Sequence, residues 1–502
     1  SSCAYDAKSK EWTIKVPGVE DAIKASAISD GKTFADEYNA AKAVTGGVEG
    51  IEGVEDKDVT FGYNSETQKW EVKVPGYDKA INVSDIGTSE EDVKTFIDDY
   101  KILKDIKDNY ESGAKFEYDA ENGWTVSLPD IAESKDPSQA LEQLKDIKEK
   151  QDALADSKEV LDEKQENFTN GEEAWNQAVE DYINGNITEE QYQAAKEKRD
   201  KERSELQTTI DDVDAKSNAL EESQTNAGYS QEHKTASVSG YREASKNAKS
   251  VMETADESAN NTAAEALKNA ADSYAGVFKE PGEGEENKTP EEMQAAQDKY
   301  LRALTAVNDT TAAVNATYTN NNSEEEAKKK QEAQSKKTGD TVNEAQTKVT
   351  DAIEEAMIGA HNTLSGSDVG GAAAQQARNI LDFISKAGKP LYDALTDLSV
   401  NLYGDISKTI SDLANRTSLA SQGITISNGI VTQRTFDKAG SPVMRELQLQ
   451  NSQSDADIMS VMAKDGFDAG MNYIKAHGLY KEETLYNYDA DGNKKEIYKI
   501  LD

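Results

Sequence analysis

An aromatic pattern that recurs three times in the first 135 residues constrains the fold of this chain most. A Tyr followed by a Trp forms each copy: Tyr5 and Trp12, Tyr63 and Trp70, Tyr118 and Trp124. The first two pairs have the same spacing, and the third is one residue closer. Apolar and polar residues alternate on both sides of a polar tip in each copy, which predicts a β-hairpin with one buried face. A proline then ends the second strand.

A helical pattern follows the first two hairpins. Phe34, Tyr38 and Ala41 lie at positions i, i+4 and i+7, and Phe96, Tyr100 and Leu103 repeat this stripe. Such a stripe suits packing of a helix on a small sheet. We therefore expect residues 1–135 to contain three copies of a β-hairpin/helix repeat, as tandem ββα modules that recur about every 55 to 60 residues. Arrays of this kind usually serve as spacers or binding surfaces.

The three repeated tryptophans are the candidate binding residues. If their rings are exposed to solvent, each of them could stack on a carbohydrate ring: Trp12, Trp70 and Trp124. The simpler interpretation is that each Trp covers its hairpin against the helix that follows it. We favour this second interpretation and keep a glycan as a candidate partner.

Residues 136–340 predict long helices with few large apolar side chains. Residues 136–225 suit an antiparallel α-hairpin, with a turn at Asn184-Gly185-Asn186 and a capping box from Thr188 to Gln191. Residues 226–340 are rich in Ala, Asn and Ser, and residues 280–284 and 319–323 predict flexible linkers. Helices that bury so little apolar area need neighbours, so we expect self-association.

Residues 341–422 carry the most apolar helix pattern and predict the core of a helical bundle. The pattern is a near-heptad seam of seven residues: Leu391, Leu395, Leu398, Leu402, Ile406, Ile410 and Leu413. A coiled-coil oligomer is the alternative use of this seam. Gly370-Gly371 and Gly388-Lys389-Pro390 predict connections between helices.

Residues 423–502 predict a small α+β cap. Asn428-Gly429 suits the type I′ turn of a hairpin over residues 424–432, and a second hairpin is expected over residues 485–500. At the tip of the second hairpin, Asp489, Asp491 and Asn493 have the spacing that opens a calcium loop. The later Gly and Glu of such a loop are missing, so a plain turn explains these residues better. Calcium is still the one cofactor that the residues suggest.

Charge and composition exclude several functions. The chain has 96 acidic and 56 basic residues and a formal charge of −40, which disfavours binding to nucleic acids or to anionic membranes. Only 36% of residues are apolar, too few for one large core. No run of 18 apolar residues predicts a transmembrane helix. Cys3 is the single cysteine, which excludes an intrachain disulfide, and the Ser1-Ser2-Cys3 start predicts a processed form or a fragment.

The sequence contains no motif that specifies a reaction, so we predict no enzymatic activity. His233, His361 and His477 are far apart and have no metal-ligand spacing. The overall expectation is a mainly α fold with small β: tandem ββα modules, elongated helical hairpins with a bundle, and an α+β cap.

The preferred function is a non-enzymatic structural or adhesive protein, secreted or at the surface of a bacterium, and self-assembling or bound to another surface protein. In composition the cysteine-poor, Gln/Asn/Ser-rich helical hairpins resemble needle-tip proteins of injection apparatuses, which makes a tip component or an effector the first alternative. A carbohydrate-binding or carbohydrate-active protein that uses the Trp hairpins is the second.

Overall fold

The structure is a computed structural model that describes residues 1–366, 370–489 and 491–501. It is mostly helical (66%) with small β-sheets, which confirms the predicted class of a mainly α fold with small β. Contacts divide the chain into two units, residues 1–163 with 208–246 and residues 164–207 with 247–502. Within the described ranges, no helix is long and apolar enough to cross a membrane.

The first unit contains three small antiparallel sheets, in the orders β1-β2-β3, β4-β5-β6 and β7-β8. Their strands are β1 (Ser2–Asp6), β2 (Glu11–Lys15), β3 (Ile23–Lys24), β4 (Thr60–Asn64), β5 (Lys69–Lys73), β6 (Ile81–Asn82), β7 (Lys115–Asp119) and β8 (Gly123–Ser127). The helices between them are α1 (Gly31–Glu49), α2 (Val83–Ile86) and α3 (Glu90–Asp105). Short 3₁₀ segments cover Ala25–Ala27 and Asp56–Asp58, and a π-helical turn, Ile106–Tyr110, follows α3. The short strands β3 and β6 were not predicted from the sequence pattern.

Local sequence explains where these elements turn and begin. The tips of the first two hairpins place Lys10 and Gln68 at φ values of 59° and 58°, and the shorter third tip uses Gly123 at 68°. Asp30 accepts hydrogen bonds from two backbone N–H groups at the start of α1. A capping box between Ser89 and Asp92 begins α3.

Long helices make up most of the rest of the chain. They are α4 (Pro137–Asn184), α5 (Glu189–Ala227), α6 (Gln231–Gly276), α7 (Pro290–Asn321), α8 (Glu324–Leu364), α9 (Ala372–Asn401), α10 (Asp405–Ser421), α11 (Asp455–Asp465) and α12 (Phe467–Ala476). The predicted capping box at Thr188 and Gln191 is present at the start of α5. The helices α4, α5 and α6 contribute residues to both units.

One five-stranded antiparallel sheet lies in the second unit, in the order β13-β12-β11-β10-β9. Its strands are β9 (Ile424–Ser427), β10 (Ile430–Phe436), β11 (Pro442–Leu449), β12 (Tyr480–Tyr488) and β13 (Lys494–Leu501). Asn428 and Gly429 join β9 to β10 with φ values of 54° and 75°, as the type I′ turn requires.

The bundle core of the second unit combines apolar and polar side chains. Six residues of the predicted seam are buried there: Leu391, Leu395, Leu398, Leu402, Ile410 and Leu413. The same unit contains a buried polar group, in which the amide nitrogen of Asn260 donates to Thr310 and Thr311 at 3.0 and 2.9 Å, and Gln334 donates to the Asn260 oxygen at 2.8 Å. Mutually bonded amides and hydroxyls therefore fill core positions that would hold Leu or Ile in a sequence with more apolar residues.

One predicted helix break is wrong, and a second is shorter than expected. Residues 388–390 do not connect two helices, because α9 runs through Pro390. Gly388 serves packing instead, since a Cβ at this position would lie 1.8 Å from the Oγ of Ser421 in α10. In the predicted break at residues 319–323, residues 319–321 stay helical at the end of α7, and only Asn322 and Ser323 separate α7 from α8. The side chain of Asn322 then donates to Glu253 at 2.7 Å, which holds a tight turn before α8.

Candidate functional site

The structure separates the three repeated tryptophans by exposure. The exposed fraction is 0% for Trp70, 2% for Trp124 and 57% for Trp12. Burial removes Trp70 and Trp124 from the carbohydrate-platform interpretation while the first unit is folded. Only Trp12 presents its ring to solvent, together with Tyr5, which is 53% exposed.

Trp70 packs against the helix that precedes its hairpin. Its ring centroid lies 5.1 Å from that of Phe34 and 5.2 Å from that of Tyr38, both in α1. The indole nitrogen donates to the Phe34 carbonyl oxygen at 3.0 Å. We expected each Trp to pack against the helix that follows its hairpin. For Trp70 this is wrong, because the helix that it contacts precedes its hairpin. The aromatic stripe of α1 packs against the second hairpin, through the face of the sheet from which Trp70 extends.

Trp124 repeats the ring packing with α3, although its buried indole nitrogen has no hydrogen-bond partner among the described residues. Its ring centroid lies 5.1 Å from that of Phe96 and 5.8 Å from that of Tyr100. These two residues repeat the stripe of Phe34 and Tyr38 in the sequence. The same contact between a hairpin Trp and an i, i+4 Phe–Tyr pair thus occurs twice in the first unit.

Tyrosine hydroxyls hold the second and third hairpins to the elements before them. The Tyr63 hydroxyl donates to the Ala27 carbonyl at 2.7 Å, and the Tyr118 hydroxyl donates to the Asp85 carbonyl at 3.2 Å. Burial raises the pKa of Tyr118 to about 12, with nearby carboxylates such as Asp85 adding to the effect, so its hydroxyl keeps its proton at neutral pH.

The stripe tyrosines also bond within their own copy. The Tyr38 hydroxyl donates to the Pro17 carbonyl at 3.0 Å, and the Tyr100 hydroxyl donates to the Pro75 carbonyl at 2.8 Å. Each stripe tyrosine therefore holds the strand end of its own hairpin while its ring receives the next Trp.

The first hairpin has the same aromatic geometry without a covering helix in the described chain. The ring centroids of Tyr5 and Trp12 are 5.5 Å apart at 60°, and those of Tyr63 and Trp70 are 5.3 Å apart at 62°. Both pairs are directly opposite each other across their strands. Cys3, one strand alternation from Tyr5, is also exposed. We call Cys3, Tyr5 and Trp12 the aromatic face.

The predicted calcium residues form a hydrogen-bonded turn. The Oδ1 of Asp489 accepts the backbone N–H groups of Asp491 at 3.0 Å and Asn493 at 2.8 Å. The bond from the Asn493 backbone is the main cause that lowers the pKa of Asp489. Ala490, between these residues, lies outside the described residues. No group of three His, Cys, Asp or Glu side chains with metal-binding geometry occurs in the described part of the chain, and calcium binding at this turn stays a prediction.

Each histidine has its own surroundings. His233 in the first unit contacts Asp130 at 3.1 Å, and His477 in the second bonds to the Tyr473 carbonyl at 2.8 Å. His361 in the second unit is buried, and its ring stacks on Phe436 at 4.9 Å. Burial, with a smaller effect from Arg434, lowers the pKa of His361 to about 4. This histidine is therefore neutral at pH 7.

A buried charge cluster in the second unit had no signal in the sequence. The guanidinium of Arg199 pairs with Glu172 and, at 2.5 Å, with Asp256, and it lies 4.2 Å from the centre of the Phe168 ring. Burial is the main cause that raises the pKa of Glu172 to about 7. The residues come from three helices and are far apart in a sequence with 96 carboxylates, so their meeting could not be read from spacing.

The second unit also has an open groove on its five-stranded sheet. Its volume is about 630 Å³, and Arg445 and Phe467 lie in its wall. The guanidinium of Arg445 lies 4.8 Å from the centre of the Phe467 ring and its Nε bonds to Glu483 at 2.9 Å. These contacts hold the arginine against the sheet and its helices.

The aromatic stripes of α1 and α3 are the site residues whose role the sequence analysis missed. The i, i+4 spacing was visible, but which Trp each stripe receives depends on the tertiary packing. Comparison with known proteins adds nothing, since no family model, curated protein or solved structure matches this chain.

Proposed function

We propose that this protein is a non-enzymatic structural or adhesive component outside a bacterial cell, secreted or held at the surface, and that it works by joining to other protein chains. In this proposal the three hairpins and their helices act as tandem ββα modules. The observation that carries the proposal is the repeated joint: the Tyr–Trp pair that links two neighbouring copies inside the chain is presented to solvent in the first copy.

The energetics of the aromatic face suit a protein interface. Tyr and Trp are the residues that most often anchor protein–protein contacts, because their large rings bury much apolar area at little cost in side-chain entropy. The rings of Tyr5 and Trp12 already lie 5.5 Å apart, in the geometry of the covered pairs. A partner would therefore meet a preorganised surface and pay little to order it.

The charge of the chain limits the partner. A formal charge of −40 repels acidic proteins at long range and favours a neutral or basic partner surface. Self-association through the polar helices is a further part of the proposal. Light scattering of the purified chain tests this part, and a monomer under all salt and calcium conditions contradicts it.

Localisation in the bacterium that encodes the protein tests the main proposal. Wild type and a Tyr5→Ser/Trp12→Ser double variant would be compared by surface immunogold labelling and by cross-linking in intact cells. We expect surface labelling of the wild type, a cross-linked partner protein, and loss of that partner in the double variant. Confinement of the wild type to the cytoplasm, or an unchanged cross-linking pattern in the variant, would contradict the proposal.

A carbohydrate platform is the second candidate, and the 57% exposure of Trp12 is the observation that favours it. The 60° angle between the Tyr5 and Trp12 rings argues for a helix instead, since it repeats the geometry of pairs that are covered by helices. A glycan array probed with the full chain and with Trp12→Ala separates the two. Sugar binding that needs Trp12 would replace the protein partner by a glycan.

A further inference from the structure

We propose that the aromatic face binds one kind of partner: an amphipathic helix of another protein chain that presents Phe and Tyr at positions i and i+4, with an acidic residue just before the Tyr. This inference rests on the proposed function and specifies the chemistry of its partner. The structure supplies the pattern, because two helices of the chain already cover equivalent Tyr–Trp pairs.

The contacts in the second copy define what a partner helix must offer. A Phe ring and a Tyr ring pack on the Trp at 5.1 and 5.2 Å, and the Phe carbonyl accepts the indole N–H. The carboxylate of Glu37, the residue before Tyr38, accepts the backbone N–H of Trp70 at 3.3 Å. Asp99 has the same place before Tyr100 in α3. The partner pattern is therefore Phe, two residues, an acid and Tyr.

The first hairpin presents the matching groups. Tyr5 and Trp12 are paired in the same register as Tyr63 and Trp70. Their ring geometry agrees with that pair to within 0.2 Å and 2°, from 5.5 Å and 60° against 5.3 Å and 62°. A helix that fits Trp70 therefore finds the same arrangement at Trp12.

One difference between the copies changes the fit at the edge of the face. Cys3 lies opposite Ile14, where the second copy has Phe61 opposite Val72. Phe61 fills the space next to Gly18, where an added Cβ would lie 2.8 Å from its ring. Cys3 is smaller than Phe61 and leaves room for a larger group of the partner at this edge. The partner therefore does not need a glycine that matches Gly18, which makes space for Phe61 in the second copy.

A second copy of this chain is not the occupant that the structure favours. The stripes of α1 and α3 are covered by Trp70 and Trp124. The helix α4, which follows the third hairpin, has no aromatic residue before Phe168. Another copy would have to release its own Trp before it could bind, at the cost of a buried indole. A different chain with an open stripe meets no such cost.

Binding of a helical peptide to the full-length protein tests the inference directly. The probe is a hydrocarbon-stapled peptide of residues 30–49, and the matched control carries Phe34→Ser and Tyr38→Ser. Fluorotryptophan NMR, with the Trp12 signal assigned from Trp12→Phe, and the alkylation rate of Cys3 report on the face. We expect the wild-type peptide to shift the Trp12 signal and slow alkylation, and the control peptide to bind at least about tenfold more weakly.

A fusion removes the dependence on peptide affinity. A second copy of residues 1–58, with its own Cys3 changed to Ser, is placed directly before Ser1 of the full chain. The added α1 can then cover the original Trp12 at a high effective concentration. We expect alkylation of the original Cys3 to slow by about tenfold or more, and Phe34→Ser/Tyr38→Ser in the added copy to restore the rate.

The outcomes separate the possible occupants. An unchanged Trp12 signal with the peptide, together with equal alkylation rates in the two fusions, overturns the inference. Oligomers of the wild-type chain that Trp12→Ser abolishes would make a second copy the occupant, and a glycan that shifts the Trp12 signal would make the face a sugar site; either result overturns the helix. Helix binding in vitro by a protein confined to the cytoplasm would contradict the proposed function alone.

Discussion

Trp12 and Trp70 have the same place in two hairpins, but they differ in burial and therefore in what a substitution should do. Trp70 is fully buried between α1 and its own sheet, and its indole nitrogen donates to Phe34. Trp12 is more than half exposed. At the scale of the residue, the environment and not the motif decides the contribution to stability.

We expect Trp70→Ala to lower the free energy of unfolding of the first unit by about 3 to 5 kcal/mol, because it leaves a large cavity under α1. Trp12→Ala, the matched control, should change it by less than about 0.5 kcal/mol. Urea unfolding followed by far-UV circular dichroism measures both. Similar losses for the two variants would show that the first hairpin is covered in solution.

The buried His361 makes stability depend on pH. Its pKa is about 4 in the folded protein, below the ordinary value of about 6.5. The unfolded chain therefore binds a proton first as the pH falls, and stability is lost between about pH 6.5 and pH 4. The loss is on the order of 3 kcal/mol at most.

We expect His361→Gln to flatten this part of the stability profile relative to the wild type. Thermal unfolding at a series of pH values measures the difference between the two proteins. His477→Gln, at an exposed position, is the control and should follow the wild-type profile. A parallel loss in wild type and His361→Gln would show that other groups cause it.

At the scale of the element, two glycines inside long helices have opposite roles. Gly388 in α9 faces α10 so closely that an added Cβ would lie 1.8 Å from the Oγ and 2.4 Å from the Cβ of Ser421. Among the described residues, Gly359 in α8 has no atom within 4 Å of the position of an added Cβ apart from its chain neighbours and the backbone of its own helix. A glycine pattern in the sequence cannot distinguish these two situations.

We expect Gly388→Ala to destabilise the second unit by about 1 to 3 kcal/mol through overpacking, despite the better helix propensity of Ala. Gly359→Ala should stabilise it by up to about 1 kcal/mol. Adding Ser421→Gly to Gly388→Ala should recover part of the loss. Chemical denaturation of the three variants measures these effects, and equal behaviour of the two Ala variants would rule out the close approach of α9 and α10.

At the scale of the whole molecule, the excess of acidic residues acts on every part of the fold. The formal charge is −40, and the repulsion among the excess acidic side chains is stronger in the compact folded state than in the unfolded chain. Surface ion pairs such as Lys336 with Asp340 contribute little and weaken in salt. The net effect of screening should therefore be stabilising.

We expect the unfolding temperature to rise when NaCl is increased from about 10 mM to about 150 mM, where the screening length falls to about 8 Å. CaCl₂ at the same ionic strength is the comparison for the turn at Asp489. If calcium stabilises the protein more than NaCl does, and Asp489→Asn removes this extra effect, calcium binds at the turn. Equal effects of the two salts would show that charge screening is the whole cause. A lower unfolding temperature in NaCl would contradict the repulsion argument.

Periodicity determined the elements of this protein that depend on near neighbours. The alternation around Tyr5 and Trp12 predicted the strand pairing, Asn428-Gly429 predicted a type I′ turn, and the seam around Leu395 predicted a buried helix face. These features follow from backbone geometry over a few residues, and they are visible in one sequence.

Only the tertiary structure decided which faces meet. The stripe of Phe34 and Tyr38 could have packed on either neighbouring hairpin, and its contact with Trp70 leaves Trp12 uncovered. Gly388 and Pro390 had the pattern of a break, yet the helix continues because Gly388 fits against Ser421. Contacts between residues distant in the chain depend on shape and on the positions of all other elements, and a local pattern does not contain this information.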